Sequence, residues 1–226
     1  MLSCVHDWAK AIDDGDFVDV AYLDYAKAFD TVCHQKLLIK LDALGVKNSV
    51  LRWIKSFLSD RTQSVIVNDA RSHAINVTSS VPQGSVLGPI LFRVYVDDIT
   101  RVVKHCEVRL FADDTKLYLR VKKDAITNLL QQDLENIFEW STKWQLGLAL
   151  QKCVILPIRG SHSASAVPHI VVNNTELPTA ENVRDLGVHI SSNLKSSYHI
   201  SKVVRSAHVA ACSIHRAFTH EQGCGF

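Results

Sequence analysis

Long apolar runs are missing from this sequence. No stretch approaches 18 uninterrupted apolar residues, so no segment is expected to cross a membrane. Met1 to Trp8 lacks the basic stretch and apolar run of a signal peptide. Cysteine is sparse and unpatterned: Cys4, Cys33, Cys106, Cys153, Cys212 and Cys224 include no CxxC pair. A reducing intracellular setting, nuclear or cytoplasmic, is the simplest expectation. The sequons at Asn76 and Asn173 then carry no weight, because glycosylation requires the secretory route. An excess of one charge is also missing, since 25 basic and 23 acidic residues leave a formal +2. That balance neither supports nor excludes nucleic acid, because acidic metal ligands inside a basic channel cancel in a net count. With only 9 Gly and 5 Pro against 47% hydrophobic residues, the composition is that of a folded globule rather than a disordered chain.

What is present alternates irregularly between strand and helix patterns, with no internal repeat. Phe17 to Asp24 reads as a strand ending on an acid. Leu37, Leu38, Leu41 and Leu44 then recur at helical spacing ahead of Gly45, and Val50, Leu51, Ile54, Phe57 and Leu58 predict a second short helix. Gln63 to Val67 and Ala74 to Thr78 read as strands around a polar turn at Asn68-Asp69. A turn-rich loop over Ser79 to Pro89 precedes a helix over Ile90 to Val103. Val108 to Phe111 and Thr115 to Leu119 form a hairpin candidate with Asp113-Asp114 at its tip. A long amphipathic helix is expected over Asp124 to Trp144 with Ile126 on its buried stripe, then a strand over Val154 to Ile158. The run Arg159 to Pro168 is the best linker. Strands near His169–Val172 and Val183–Ile190 and a helix from Tyr198 to Thr219 complete the order. Hairpins and non-alternating helices indicate α+β rather than a doubly wound sheet, in two lobes, 1–160 and 161–226.

Three acids at apolar strand ends stand out: Asp24, Asp113 and Asp114. Two carboxylates about 4 Å apart repel by roughly 4 kcal/mol at an effective dielectric of 20. A divalent cation reverses that sign, and magnesium prefers such hard oxygen ligands. The plainer use of an acidic pair at a hairpin tip is to solvate the turn. Asp97-Asp98, at the end of a probable helix, is assigned to structure.

Tyr22-Leu-Asp-Tyr-Ala-Lys-Ala-Phe-Asp-Thr-Val32, Val81-Pro-Gln-Gly-Ser-Val-Leu-Gly-Pro-Ile-Leu-Phe92 and Val108-Arg-Leu-Phe-Ala-Asp-Asp-Thr-Lys-Leu-Tyr118 resemble three ordered blocks of the reverse transcriptases of non-LTR (LINE-type) retrotransposons, the jockey- and CR1-like group in particular. Leu134 to Cys153 and Val183 to Ile190 extend the likeness. The resemblance implies a right-hand polymerase palm, a mixed or antiparallel sheet covered by helices, with partial fingers and the start of a thumb. Its implied reaction copies an RNA template by adding deoxynucleoside triphosphates to the 3′-hydroxyl of a DNA primer at a nicked target. Two magnesium ions, with manganese a substitute, would be held by Asp24, Asp113 and Asp114. Asp24 would bridge them, Asp113 would be the second main ligand and Asp114 the less direct neighbour. The resemblance implies that Tyr25 and Phe29 contact the nucleotide or template; Phe29 matches the aromatic gate that excludes a 2′-hydroxyl, and without the block it reads as a core aromatic. Gln83 and Gly84 match the loop against nucleotide and template, where glycine permits close backbone approach. Lys152 matches a lysine that neutralises or protonates departing pyrophosphate; otherwise it is a surface lysine. Lys27 and Asp30 support the first block.

The sequence departs from that pattern at Ser80, where the family commonly has glycine, and around Leu146 to Cys153, where the lead to the lysine is altered. Measured against a complete enzyme of the family, most of the fingers and the endonuclease would lie in a longer polyprotein. Cys212, His215, His220 and Cys224 match no strong zinc spacing. Two other readings remain: a catalytically inactive remnant that at most binds nucleic acid or a protein partner, and a metal nuclease, which leaves Phe29 and the Gln83 loop without a role.

Overall fold

The computed structural model describes residues 2–122, 128–159 and 168–220. Helix α1 (Leu2–Asp13) is followed by β1 (Phe17–Leu23), α2 (His34–Ala43) and α3 (Asn48–Leu58). Next come four two-residue strands, β2 (Thr62–Gln63), β3 (Ile66–Val67), β4 (Ala70–Arg71) and β5 (Ile75–Asn76), and then α4 (Leu87–Val96) with a 3-10 turn over Asp97–Arg101. The order continues through β6 (Glu107–Phe111), β7 (Asp114–Val121), α5 (Leu129–Trp144) and β8 (Val154–Ile158). Two short hairpins, β9 (Val171–Val172) with β10 (Thr175–Glu176) and β11 (Asn182–Asp185) with β12 (Val188–Ser191), lead to α6 (Ser197–His220).

The centre is a four-stranded antiparallel sheet in the order β6-β7-β1-β8. Every residue of β1 except Tyr22 is buried, which is why its sequence is nearly continuous in apolar residues rather than alternating. Pro157, which lacks an N–H, sits on the edge strand β8, where a proline is tolerated. Alternation then splits the sheet into two faces. Ala21, Leu23, Leu117 and Ile155 pack with Leu37 of α2, Leu91 of α4 and Leu134 and Ile137 of α5. Val18, Val20, Tyr118 and Leu156 pack on the opposite side with Cys4 and Trp8 of α1 and Ile190 of β12. The α+β class expected from the sequence holds, with the sheet wholly antiparallel.

Several local expectations change. Helix α4 begins at Leu87, three residues before its expected start at Ile90, and accommodates Pro89 because the first helical turn needs no N–H from it. Ile90 and Val50, expected inward, are exposed, as is Leu44. The strands expected at Gln63–Val67 and Ala74–Thr78 are broken into two short ladders closed by Asn68 and Asp69, both at positive φ. The strand expected over Val183–Ile190 is the β11–β12 hairpin, reversed at Leu186 and Gly187 with φ of 46° and 88°. The expected start of the long helix at Asp124 and Ile126 lies outside the described residues, as do 160–167 of the expected linker and Cys224.

Lys40 fastens α2 to α4 and α5. Its ammonium donates to Asp98 at 2.5 Å and to the Tyr95 carbonyl, and lies 3.7 Å from the Trp144 ring centroid. Burial pushes its pKa down, against the pull of Asp98. Asp98 also accepts from Trp140 Nε1 at 3.0 Å, so that acid has the structural use expected of it.

Candidate active site

The pairing of β1 with β7 brings the sequence-distant acids together. Leu23 pairs with Thr115, so one further step along both strands sets Asp24 across from Asp114. Asp113 occupies the tight turn with Ala112, whose φ is 52°, and the turn is closed by the pairing of Phe111 with Asp114. Asp24 and Asp114 border a cavity of about 310 Å³, together with Lys152, Lys116, Asp185 and Tyr22. Asp113 stands at the exposed tip and is not part of that lining. Partial burial, then the charges of Asp113, Asp185 and Asp24, hold the Asp114 carboxyl above the usual carboxylate range, against the pull of Lys116. Acids and bases are interleaved at this end of the sheet, where Arg109, Lys116, Lys152 and Arg184 line the same cavity as Asp24, Asp114 and Asp185. Among the described residues, no three His, Cys, Asp or Glu side chains converge closely enough to hold a metal ion.

The altered segment 146–153 docks on the chain just beyond β1. The Ala26 amide donates to the Gly147 carbonyl at 2.8 Å and the Ala149 amide donates to the Asp24 carbonyl at 2.8 Å. A turn from Ala149 then sets Lys152 Nζ 3.7 Å from Asp24 Oδ2. Both side chains are substantially solvated, so the pair marks proximity more than stability. Tyr25 lies beneath, buried, with its hydroxyl 3.5 Å from Thr115 Oγ1 and its pKa pushed up to about 12 by burial first.

Phe29 and the Gln83 loop form a second group. Phe29 stacks on Phe92 of α4 with ring centroids 4.4 Å apart, so packing fixes its orientation. The Val81 amide donates to the Phe29 carbonyl at 3.0 Å, and Gln83 Nε2 donates to Asp30 Oδ1 at 3.0 Å. Gln83 and Gly84 are exposed. Ser85 Oγ donates to the Pro82 carbonyl at 2.6 Å and accepts from the Gly88 amide at 3.0 Å, which ties this loop to α4. A Cβ on Gly88 would lie 2.6 Å from the Pro82 oxygen, so only glycine allows the loop and helix to approach this closely.

Ser80 has φ +89°, a left-handed conformation that costs a side-chain-bearing residue about 1–2 kcal/mol. Ser80→Gly is therefore expected to stabilise the fold by about 1 kcal/mol once the greater entropy of glycine in the unfolded chain is allowed for. A thermal melt should rise by about 2–4 °C. A melt that falls would mean the serine is unstrained.

Asp185, Lys116 and Tyr22 were not legible as site residues. Asp185 is a buried acid in a mixed stretch, next to Arg184, and its carboxylate pairs with Lys116 Nζ. The one local signal is period two: Lys116 follows Asp114 by two residues on the same strand face.

A family model described as reverse transcriptase (RNA-dependent DNA polymerase) matches residues 18–190. The RNA-directed DNA polymerase from mobile element jockey of Drosophila melanogaster is 29% identical over 202 residues, covering 86% of this chain and 22% of that protein. The probable RNA-directed DNA polymerase from transposon X-element of the same species is 28% identical over 204 residues, with 85% and 22% covered. The chain thus spans 22% of the length of each. Among solved structures, apo telomerase from Candida tropicalis, truncated from its C-terminal domain, aligns with a TM-score of 0.58 at 12% identity, covering 85% of this chain and 38% of that one. Telomerase from Candida albicans with a fragment of telomeric RNA gives 0.56 at 14% identity, with 85% and 33% covered. At that identity the likeness is one of fold alone: an antiparallel, palm-like sheet surrounded by helices. The match across residues 18–190 places the chain in the reverse transcriptase family, as a homologue of the enzymes of non-LTR retrotransposons.

Proposed function

We propose that this chain is the palm-bearing part of an RNA-directed DNA polymerase that adds deoxynucleotides to a primer 3′-hydroxyl on an RNA template. The observation that carries the reading is the β1–β7 register, which sets Asp24 opposite Asp114 at the mouth of a cavity with Asp113 in the adjoining turn. The donor set is hard carboxylate oxygen, which suits magnesium, or manganese in its place. Asp24, Asp113 and Asp114 would hold two such ions. When bound, the ions would lower the pKa of the attacking hydroxyl and offset charge on the phosphoryl group.

The remaining residues act by position and charge. The Lys152 ammonium, beside Asp24, would neutralise or protonate departing pyrophosphate. The Phe29 ring, held by Phe92, would crowd a ribose 2′-oxygen and admit only the deoxy sugar. Gln83 and Gly84 would lie against nucleotide and template, and Tyr25 would support that surface from below. In this reading residues 1–160 carry the palm core with partial fingers, and 161–226 the end of the palm and the beginning of the thumb. The whole protein would work inside the cell, in nucleus or cytoplasm, with its endonuclease and remaining fingers supplied by a longer polyprotein.

Primer extension on poly(rA)/oligo(dT) with magnesium tests this, comparing the chain, a version extended N-terminally by the fingers, and Asp113→Asn in each. Incorporation is expected from the extended protein and its loss from the variant. No incorporation by the extended protein would remove the enzyme reading, and activity surviving Asp113→Asn would remove the site. A second reading, an inactive remnant that at most binds nucleic acid or a partner, is favoured by the lack of a converged metal-binding cluster among the described residues.

A further inference from the structure

Asp185 borders the cavity shared by Asp24 and Asp114, yet the polymerase reading gives it no part. It ends β11, is 5% exposed, pairs with Lys116 Nζ, and accepts a hydrogen bond from the Tyr22 hydroxyl at 3.4 Å. Lys116 itself is 8% exposed and pairs in register with Tyr22 on β1. Asp114 and Lys116 are alternate residues of one strand, so they share a face, about 7 Å apart along it. Asp24 and Tyr22 share the same face of the neighbouring strand. A buried ammonium thus pairs with Asp185 while its residue shares a strand face with Asp114, and Asp24, Asp114 and Asp185 all border the one cavity.

We infer that Asp185 is a positioning residue that holds the Lys116 ammonium away from Asp24 and Asp114, leaving those carboxylates open to divalent cations; the inference rests on the polymerase reading of the site. Deprived of Asp185, Lys116 would be a buried charge without a counter-ion, and such a charge takes the nearest carboxylate. It would then compete with any cation from within the protein. Tyr22 steadies the arrangement by donating its hydroxyl hydrogen bond to the Asp185 carboxylate. Asp185 also adjoins the reversal at Leu186 and Gly187, so seating of the β11–β12 hairpin sets how firmly Lys116 is held.

The test is Mn2+ affinity by electron paramagnetic resonance on the whole chain, for wild type, Asp185→Asn, Lys116→Met and the double variant. Asp185→Asn should weaken binding by about tenfold or more, the usual range for a group that supports metal ligands. Adding Lys116→Met should return the affinity to within about threefold of wild type, because the internal competitor is gone. A purely structural Asp185 would show no such suppression, and failure of Lys116→Met to restore binding overturns the inference. A metal-free melting cycle decides it independently. Asp114→Asn should hardly move Tm in the wild-type background but lower it by about 3 °C or more in Asp185→Asn, where Asp114 has become the partner of Lys116. Equal shifts in both backgrounds overturn the inference. Asp24→Asn with unchanged Mn2+ affinity would instead remove the metal site itself, leaving the pairing to the melting cycle.

Discussion

Asp24→Asn is expected to lower nucleotide incorporation by about 10²- to 10³-fold in the fingers-extended protein, the scale set by removing one group that stabilises charge in a transition state. The same variant should melt within about 2 °C of the parent, the range of a surface substitution. The two halves of this expectation have one cause. Asp24 is held in place by its backbone, through the bond from the Ala149 amide to its carbonyl, and asparagine keeps that bond. Its carboxylate contributes little to the fold, because its partner Lys152 is 68% exposed and Asp24 itself 43%, where an ion pair is worth little. It adds to the repulsion that raises the Asp114 pKa, so removing its charge relieves the site. Incorporation assays in magnesium and in manganese, run beside a circular dichroism melt, separate loss of chemistry from loss of fold. Activity within tenfold of the parent would mean that Asp24 holds no catalytic ion.

The parts of this arrangement that local chemistry dictates were legible in the sequence. The run Phe17 to Leu23 is nearly continuous in apolar residues because it becomes an interior strand, and its acid terminus marks where the strand leaves the core. The Asp113-Asp114 hairpin has hydrophobic flanks and a charged tip. Asn68-Asp69 is turn chemistry that tolerates positive φ. What was not legible depends on partners far along the chain. Helix α1 is an exception, since the Cys4, Trp8 and Ala11 it buries recur at i, i+4 and i+7, a helical spacing the sequence itself carries. Leu186 carries no turn signal of its own, and the lone Gly187 beside it was the one local sign of the reversal between β11 and β12. Lys40 reads as a solvated residue between leucines, and only Asp98, Tyr95 and Trp144 explain its burial. Lys116 and Asp185 are 69 residues apart, and nothing near either one indicates the other. The location of β1 and of the β6–β7 hairpin depends on local pattern and was accessible; the pairing of buried charges depends on tertiary position and was not.

Asp133 offers the clearest case of a buried charge on which the fold depends. It is fully buried on α5, and its carboxylate accepts the backbone N–H groups of Lys104 at 2.9 Å, His105 at 2.8 Å and Cys106 at 2.8 Å. Those residues lead straight into β6, the strand that carries one side of the Asp113 turn. Burial pushes the Asp133 pKa up, but the three N–H donors outweigh it and hold the carboxyl below its ordinary value. A depressed folded-state value fixes the sign: the stabilisation is present above the unfolded pKa and is lost as pH falls through the folded one. Asp133→Ala leaves three donors without their acceptor and should cost about 3 kcal/mol or more, a fall in Tm of about 6–12 °C. Asp133→Asn should recover only part of this, because the carboxamide turns an N–H₂ toward at least one of the three donors. Melts of the parent and Asp133→Asn from pH 7 to pH 2 should converge as the parent carboxylate protonates. Curves that stay parallel to the acid limit would mean that geometry, rather than the carboxylate charge, ties α5 to the start of β6.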